Sequence, residues 1–222
     1  MHTEIEAKIK VNSLPEIARR LKAVGAKFLG KRLQIDVYLD DDKSTLRKAD
    51  SALRIRRSVL RSSGNAAAAT EDRQVIGRKE RAIITFKGPR LGVGEVSAGL
   101  CIDGPSRSRA KQKGRFKRRE EVQFEVDDAA SAETFLAAIG YKKTLAFQKK
   151  RRIWRLDDCE VALDELPLMG SFVEIEGPCE RKIAAVQKKL GLSDLPHIPE
   201  SYASLMKRKL RKLGRKRREI LL

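Results

Sequence analysis

Histidine occurs only twice in the 222 residues, as His2 and His197. One lies at the terminus and the other reads as a loop residue, so no serine–histidine or cysteine–histidine pair is available for nucleophilic catalysis. Cysteine occurs three times, as Cys101, Cys159 and Cys179. An odd number with no close spacing argues against a disulfide framework and a zinc site, and for a reducing, cytoplasmic setting. No apolar run reaches the ~18 residues of a membrane span, and no signal peptide precedes the first charged segment. The expectation is therefore a protein neither membrane-embedded nor secreted. Walker and GxGxxG glycine loops are absent as well.

What the chain has in excess is positive charge. Lysine and arginine number 49 against 30 acids, for a net charge of +19, and 36% of residues are charged. The average domain has roughly 25%. Such a surplus implies polyanionic company: nucleotides, polyphosphate, nucleic acid or an anionic surface. The charge is uneven. In residues 207–218, KRKLRKLGRKRR, nine of twelve are basic, which reads as a solvated tail able to contact polyanions. We therefore divide the chain into a domain of residues 1–206 and a basic tail of residues 207–222. Residues 61–81 and 101–118 mix Ser, Gly, Ala and charges without period, and read as long connections.

Between these segments the sequence alternates. In residues 3–11, TEIEAKIKV, Ile5, Ala7, Ile9 and Val11 face one way and Glu4, Glu6, Lys8 and Lys10 the other, which is the period of a strand with one dry face. The same period recurs in residues 34–39, 53–56, 84–87, 119–126, 160–164 and 172–176. Gly88-Pro89 is expected to end the fourth strand, and residues 119–126 to place Val122, Phe124 and Val126 on the dry face. Residues 149–155, KKRRIWR, make an eighth strand of ambiguous parity. Either Lys149 and Arg151, or Lys150 and Arg152, share its polar face.

The polar faces carry tight like-charge pairs: Glu4/Glu6, Arg54/Arg56 and Glu174/Glu176. A like-charge pair on a strand face is unfavourable unless opposite charge lies nearby. Acidic pairs on some strands and basic pairs on others imply that the faces converge, as in an eight-stranded antiparallel closed β-barrel, a tunnel with a polar lumen. Helices must then cover the apolar outside. Residues 13–25 have a capping box, Ser13 with Glu16, and an apolar stripe ending at Gly25. Residues 128–140 carry Ala132, Phe135, Leu136 and Ile139 and stop at Gly140. Residues 180–191 and a segment from about residue 200 complete the set. Strand–helix–strand around Gly25 repeats weakly around Gly140, which suggests two halves. The fold class is α+β, a barrel with helices packed outside.

The lumen candidates are the acids Glu4, Glu6, Glu121, Asp164, Glu174 and Glu176. With them go the bases Lys8, Arg54, Arg56, Lys87 and Arg119, and one pair from residues 149–152. Oxygen clusters suit Mg²⁺ or Mn²⁺, and arginine and lysine bind phosphate. Acids and bases in one lumen therefore suggest a metal-bound polyphosphate, whereas a nucleic-acid groove would want the bases without the acids. Two reactions use such a site: attack of water on the terminal phosphorus, or attack of a ribose hydroxyl on the α-phosphorus with loss of pyrophosphate. The reading from another class is a non-catalytic module that binds RNA or polyphosphate. Like charges in a lumen repel, so removal of Arg54 or Arg56 is expected to leave stability unchanged or raised.

The motif Glu4-Ile-Glu6-Ala-Lys8 resembles the ExExK signature of the CYTH superfamily, the triphosphate tunnel metalloenzymes. QIDVYLD, ALRIRR, ITFKGP, RREEVQFEV, KKRRIW, VALDEL and LMGSFVEIEG follow in family order from residue 1 to about residue 206. LPLMGSFVEIEG and SYASLM are most similar to class IV adenylyl cyclases and their relatives. The resemblance implies an eight-stranded tunnel enzyme using Mg²⁺ or Mn²⁺. It implies Glu4, Glu6 and Glu174 as metal ligands, with Glu176, Glu121 and Asp164 near the metal or nucleophile. Glu4, Glu6, Lys8 and Asp164 would be catalytic. Lys8, Arg54, Arg56, Lys87, Arg119, Lys149 and Arg151 would bind the triphosphate, which favours Lys149/Arg151 over the other parity. Implied activities are cyclisation of ATP to cyclic AMP, or hydrolysis of thiamine triphosphate, tripolyphosphate or a nucleoside triphosphate. A homodimer is compatible with the resemblance. Gln123 stands where some relatives carry another acid, and the basic loops and tail depart from compact members.

Overall fold

A computed structural model of the chain describes residues 2–61, 80–91, 116–214 and 219–221. In chain order the elements are β1 (His2–Val11), α1 (Leu14–Ala23), β2 (Lys27–Asp40), α2 (Thr45–Lys48), β3 (Ala52–Arg61), β4 (Glu80–Arg90) and β5 (Lys117–Val126). Then come α3 (Ala129–Ala138), β6 (Lys142–Leu156), β7 (Cys159–Leu166), β8 (Gly170–Glu176), α4 (Glu180–Lys189), α5 (Tyr202–Lys212) and the short β9 (Glu219–Ile220).

Strands β1 to β8 pair antiparallel in the order β2-β3-β4-β5-β1-β8-β7-β6, and β2 pairs with β6 to close the ring. The expected barrel is thus present. The order also explains the weak internal repeat. Exchanging β1 with β5, β2 with β6, β3 with β7 and β4 with β8 reproduces the same ring. The β1–β5, β2–β6, β4–β5 and β1–β8 pairs join the halves. Closure leaves no long free edge.

The helices form where the apolar period changes from two to about 3.6. The Ser13 side chain accepts a hydrogen bond from the Glu16 backbone N–H at 3.3 Å. The other half of the expected capping box is replaced, because the Glu16 carboxylate pairs with Arg20 instead. Gly25 has φ +76°, and the bonds Gly25 N–H to Lys22 O and Ala26 N–H to Leu21 O close α1 in a glycine-terminated motif. Gly140, at φ +96°, ends α3 in the same way through Ala137 and Leu136.

The apolar strand faces point outward into three clusters. Ala7, Ile9, Val161, Val173 and Ile175 pack with α1 and α4. Val37, Leu53, Ile55 and Ile84 pack with α3. Leu145, Phe147 and Phe172 pack with α5. Two expectations need correction. On α3, Phe135 is 63% and Ile139 55% exposed, because only Ala132 and Leu136 of that set face the barrel. On β5, Val122 is 46% and Phe124 57% exposed. No helix lies over the outer face that they share with Phe86 of β4 among the described residues. Strand β4 also runs through Gly88-Pro89 to Arg90, where the register shifts.

Strands take up the ends of the two expected connections. Residues 80–81 belong to β4 and residues 117–118 to β5; residues 62–79 and 101–115 lie outside the described residues. Helix α5 runs across the expected boundary after residue 206 and buries Leu210, and β9 adds Ile220 to the same cluster by pairing parallel with β6. Cys159 is free and buried, but Cys179 is disulfide-bonded. The expectation of no disulfide fails there. None of the described helices is long and apolar enough to cross a membrane.

Candidate active site in the barrel lumen

The inward faces enclose a cavity of about 440 Å³. All of the expected acids except Asp164, and all of the expected bases, line it; they include both Lys149 and Arg151. Asp164 stands fully buried behind Arg151. Strand register explains the grouping. On β1 and β8, Lys8 lies opposite Glu174 and Glu6 opposite Glu176, so the expected metal ligands come from two neighbouring strands. The bases arrive from β1, β3, β4, β5 and β6.

Opposite charges interleave. Lys8 Nζ is 3.1 Å from Glu174 and 3.3 Å from Glu6. Lys117 is 2.6 Å from Glu6. Lys87 bridges Glu4, at 2.8 Å, and Glu121. Arg151 forks onto Asp164 with Nε at 2.7 Å and also meets Glu174, while Lys149 is 3.3 Å from Asp164. Arg56 makes a bidentate pair with Asp36 at 2.6 and 2.8 Å, the fork geometry that suits a carboxylate or a phosphate. Arg54 is 3.9 Å from the same carboxylate and donates to Thr85.

Arg119 differs from its expected partners. Its guanidinium donates to the Asp50 and Gly88 carbonyl oxygens at 2.6 and 2.8 Å and to the Asp50 carboxylate at 3.0 Å. It ties the start of β3 to the end of β4 at one mouth of the tunnel.

The charges tune one another. Burial alone would release the proton of Lys8, but Glu6 and Glu174 outweigh it and hold the ammonium well above its usual range. Burial would likewise favour a neutral Glu174, yet Lys8 and Arg151 hold it well below the usual carboxylate range. Lys149 goes the other way: burial, then the Arg151 charge, outweigh Asp164 and bring it down to about 7. Glu176 rises to about 7 through burial on one side and repulsion from Glu4 and Glu160. Its outer side remains open at the rim. Asp36 is held below the usual range by Arg56 and Arg54, against its burial.

Several residues at or just behind the lumen wall were not singled out from sequence. Asp36 and Tyr38 were seen only as strand residues, although their parity places them inward with Arg54 and Arg56. Lys117 was assigned to a loop. Tyr202 of α5 closes the side of the lumen, with Lys8 and Lys149 ammonium groups 4.6 and 5.1 Å from its ring centroid. The Lys8 contact joins residues almost 200 positions apart, and no local pattern announces it.

The donor chemistry fits a hard divalent cation. The acids on β1 and β8 are all carboxylates, and the described lumen lining has neither thiolate nor imidazole. As arranged, no three such groups among the described residues stand together around one point, because ammonium and guanidinium groups draw the carboxylates apart.

A closed eight-stranded tunnel lined by interleaved carboxylates and cations, opening with ExExK on its first strand, defines a CYTH domain. Residues 2–202 match the family described as the CYTH domain, and the chain belongs to that family. It is 25% identical over 173 residues to a Methanocaldococcus jannaschii protein named provisionally as an adenylate cyclase, covering 78% of this chain and 75% of that one. Among solved structures, the PH1819 protein of Pyrococcus horikoshii OT3 superimposes with a TM-score of 0.64 at 23% identity, covering 93% of this chain and 99% of that one. HpAC1 of Hippeastrum, an adenylyl cyclase candidate described as having a dominant triphosphatase activity, has a TM-score of 0.58 at 15% identity, covering 96% of each chain. CYTH tunnel proteins act on triphosphates with divalent metals.

Proposed function

We propose that the chain is a divalent-metal-dependent enzyme that binds a triphosphate within the tunnel. The observation that carries this is the pairing of opposite charges across one closed lumen. Each cation near Glu4, Glu6 and Glu174 is already shared with a carboxylate. A metal–triphosphate complex supplies both signs at once, so it can replace these pairs without leaving a charge unmatched. Glu4, Glu6, Glu174 and Glu176 would hold Mg²⁺ or Mn²⁺, which neutralises developing charge on the phosphate oxygens. Lys8, Lys87, Arg54, Arg56, Lys149 and Arg151 would hold the phosphates. Asp164 keeps Arg151 extended into the lumen and acts as a positioning residue. Arg119 would act at the mouth, where its bonds to the β3 and β4 ends shape the entrance.

The first reading of the reaction is conversion of ATP to cyclic AMP and pyrophosphate, favoured by the likeness to the Methanocaldococcus jannaschii protein. The second is hydrolysis of a triphosphate, favoured by the likeness to HpAC1. A module that binds polyanions without catalysis is disfavoured, because its acids would repel phosphate unless a metal were present.

The test offers ATP, tripolyphosphate and thiamine triphosphate to the purified chain with Mg²⁺ or Mn²⁺ and resolves the products by chromatography. We expect turnover that disappears with chelator. The Glu6→Gln variant keeps the side-chain volume but should lose activity by ~10-fold or more, the scale of a disturbed metal site. Undiminished turnover in Glu6→Gln at limiting metal overturns the assignment.

A further inference from the structure

A second pocket of about 210 Å³ lies on the wall formed by β2, β6 and β7, where α1 begins. Lys31 and Arg152 are registered partners across β2 and β6, and their parity places them on the outer face. Lys150 stands on the same face, next to Arg152 by period two. Among the described residues none of these three side chains makes a hydrogen bond or ion pair. This contrasts with the lumen, where the substrate-side cations are paired with acids. Glu165, opposite Lys150 in register, is the sole acid among the described residues that line the pocket; Leu14, Leu33 and Leu163 form its apolar side, and Arg32 and Arg151 line both it and the lumen.

Like charges directly opposite on paired strands are destabilising, and three of them around one concavity raise its potential further. Leu14, the first residue of α1, also lines the pocket, so the positive end of the helix dipole is near it. A pocket that concentrates positive potential with one acid in its lining is complementary to an anion. Its volume falls below the ~300 Å³ at which drug-sized sites begin, so the ligand is compact.

We propose that this pocket is a second anion site, outside the tunnel, that takes a compact phosphate: inorganic phosphate, pyrophosphate or the phosphate of a mononucleotide. The site does not depend on the reading of the lumen, and its test does not require turnover.

Pyrophosphate, phosphate and AMP are titrated calorimetrically into the full chain, into Lys150→Gln/Arg152→Gln and into Glu165→Gln. The double variant removes two charge-assisted contacts, so it should weaken one class of pyrophosphate binding by about ten-fold or more. Glu165→Gln removes the repelling acid and should tighten the same class. Equal competition by phosphate and AMP would mark the phosphate group alone as the ligand, while a preference for AMP would mark a nucleotide; both support the site. The double variant should melt at the same temperature as the parent or higher, since it removes repulsion. If it fails to fold, Glu165→Gln decides. Isotherms identical between parent and double variant, or a Glu165→Gln isotherm unchanged or weaker, overturn the proposal.

Discussion

Asp36 determines what Arg56 contributes to folding. The carboxylate is 1% exposed, and Arg56 satisfies both of its oxygens. Removing one partner of a buried pair leaves an uncompensated charge, at a cost of about 3–5 kcal/mol. Arg56→Ala should therefore lower the melting temperature clearly, and Arg54→Ala should lower it less, because Arg54 is a 3.9 Å neighbour that also rests on Thr85. Equal melting temperatures for Arg56→Ala and the parent would refute this ranking. This prediction is opposite to the expectation from sequence, which counted Arg54 and Arg56 as like charges and overlooked Asp36 on the neighbouring strand. Lys149 gives the opposite case. Its ammonium ordinarily titrates near 10.5 and is brought to about 7 in the folded protein, so the unfolded chain binds more protons between these values. Stability from this group therefore rises as pH climbs from 7 toward 10.5 and is flat below 7. Lys149→Met removes that dependence. Its melting-temperature gain over the parent should grow as pH falls from 9.5 to 7 and then level off. A gain that does not change with pH would mean that Lys149 is charged throughout.

At the scale of elements, the alternation of β1, β3, β7 and β8 was legible because each has one face in the lumen and one in an apolar cluster. The ends of elements were less so. The start of β5 at Lys117 was hidden in a basic run whose composition resembles a loop, although Lys117 reaches Glu6. The role of α5 was hidden for the same reason. Its outer face is as basic as a solvated tail, while Tyr202, Leu205, Met206 and Leu210 form a buried stripe. Sequence reasoning expects truncation after residue 206 to spare turnover. The structure predicts otherwise: that cut removes the second half of α5, Leu210 and the β9 pairing, and loosens the helix that sets Tyr202 against Lys8 and Lys149. We expect lower melting temperature and lower turnover together. A chain ending at residue 214 keeps the whole of α5 and loses β9, and should retain most of both. Leu210→Ala alone should cost about 2–5 kcal/mol, as for other buried leucines. A truncation after residue 206 that melts like the parent would show that the buried stripe is dispensable.

For the whole molecule, the barrel is a balance of charge as much as a core. The overall architecture was readable because acidic and basic strand faces make sense only if they meet. The closing β2–β6 pair and the two-fold ring order follow from geometry that a linear pattern does not contain. One consequence concerns ligand linkage. A triphosphate alone brings negative charge into a lumen that already holds Glu4, Glu6 and Glu174. A divalent cation alone must compete with Lys8, Lys87 and Lys117 for those carboxylates. Bound together, each removes the obstacle to the other, so their effects on stability should be coupled. At a hundredfold excess over its dissociation constant a ligand stabilises by about 2.7 kcal/mol, which for a chain of this size is roughly 5–10 °C. We expect Mg²⁺ with a non-hydrolysable triphosphate to raise the melting temperature by that order, and by more than the sum of the two added singly. The excess should shrink in Glu6→Gln, which keeps the basic wall but weakens the acidic one. It should persist in Lys150→Gln/Arg152→Gln, whose changes lie outside the lumen. Thermal melts over a grid of metal and analogue concentrations measure the coupling directly. Strictly additive shifts would mean that metal and triphosphate occupy independent sites, and the shared lumen would have to be abandoned.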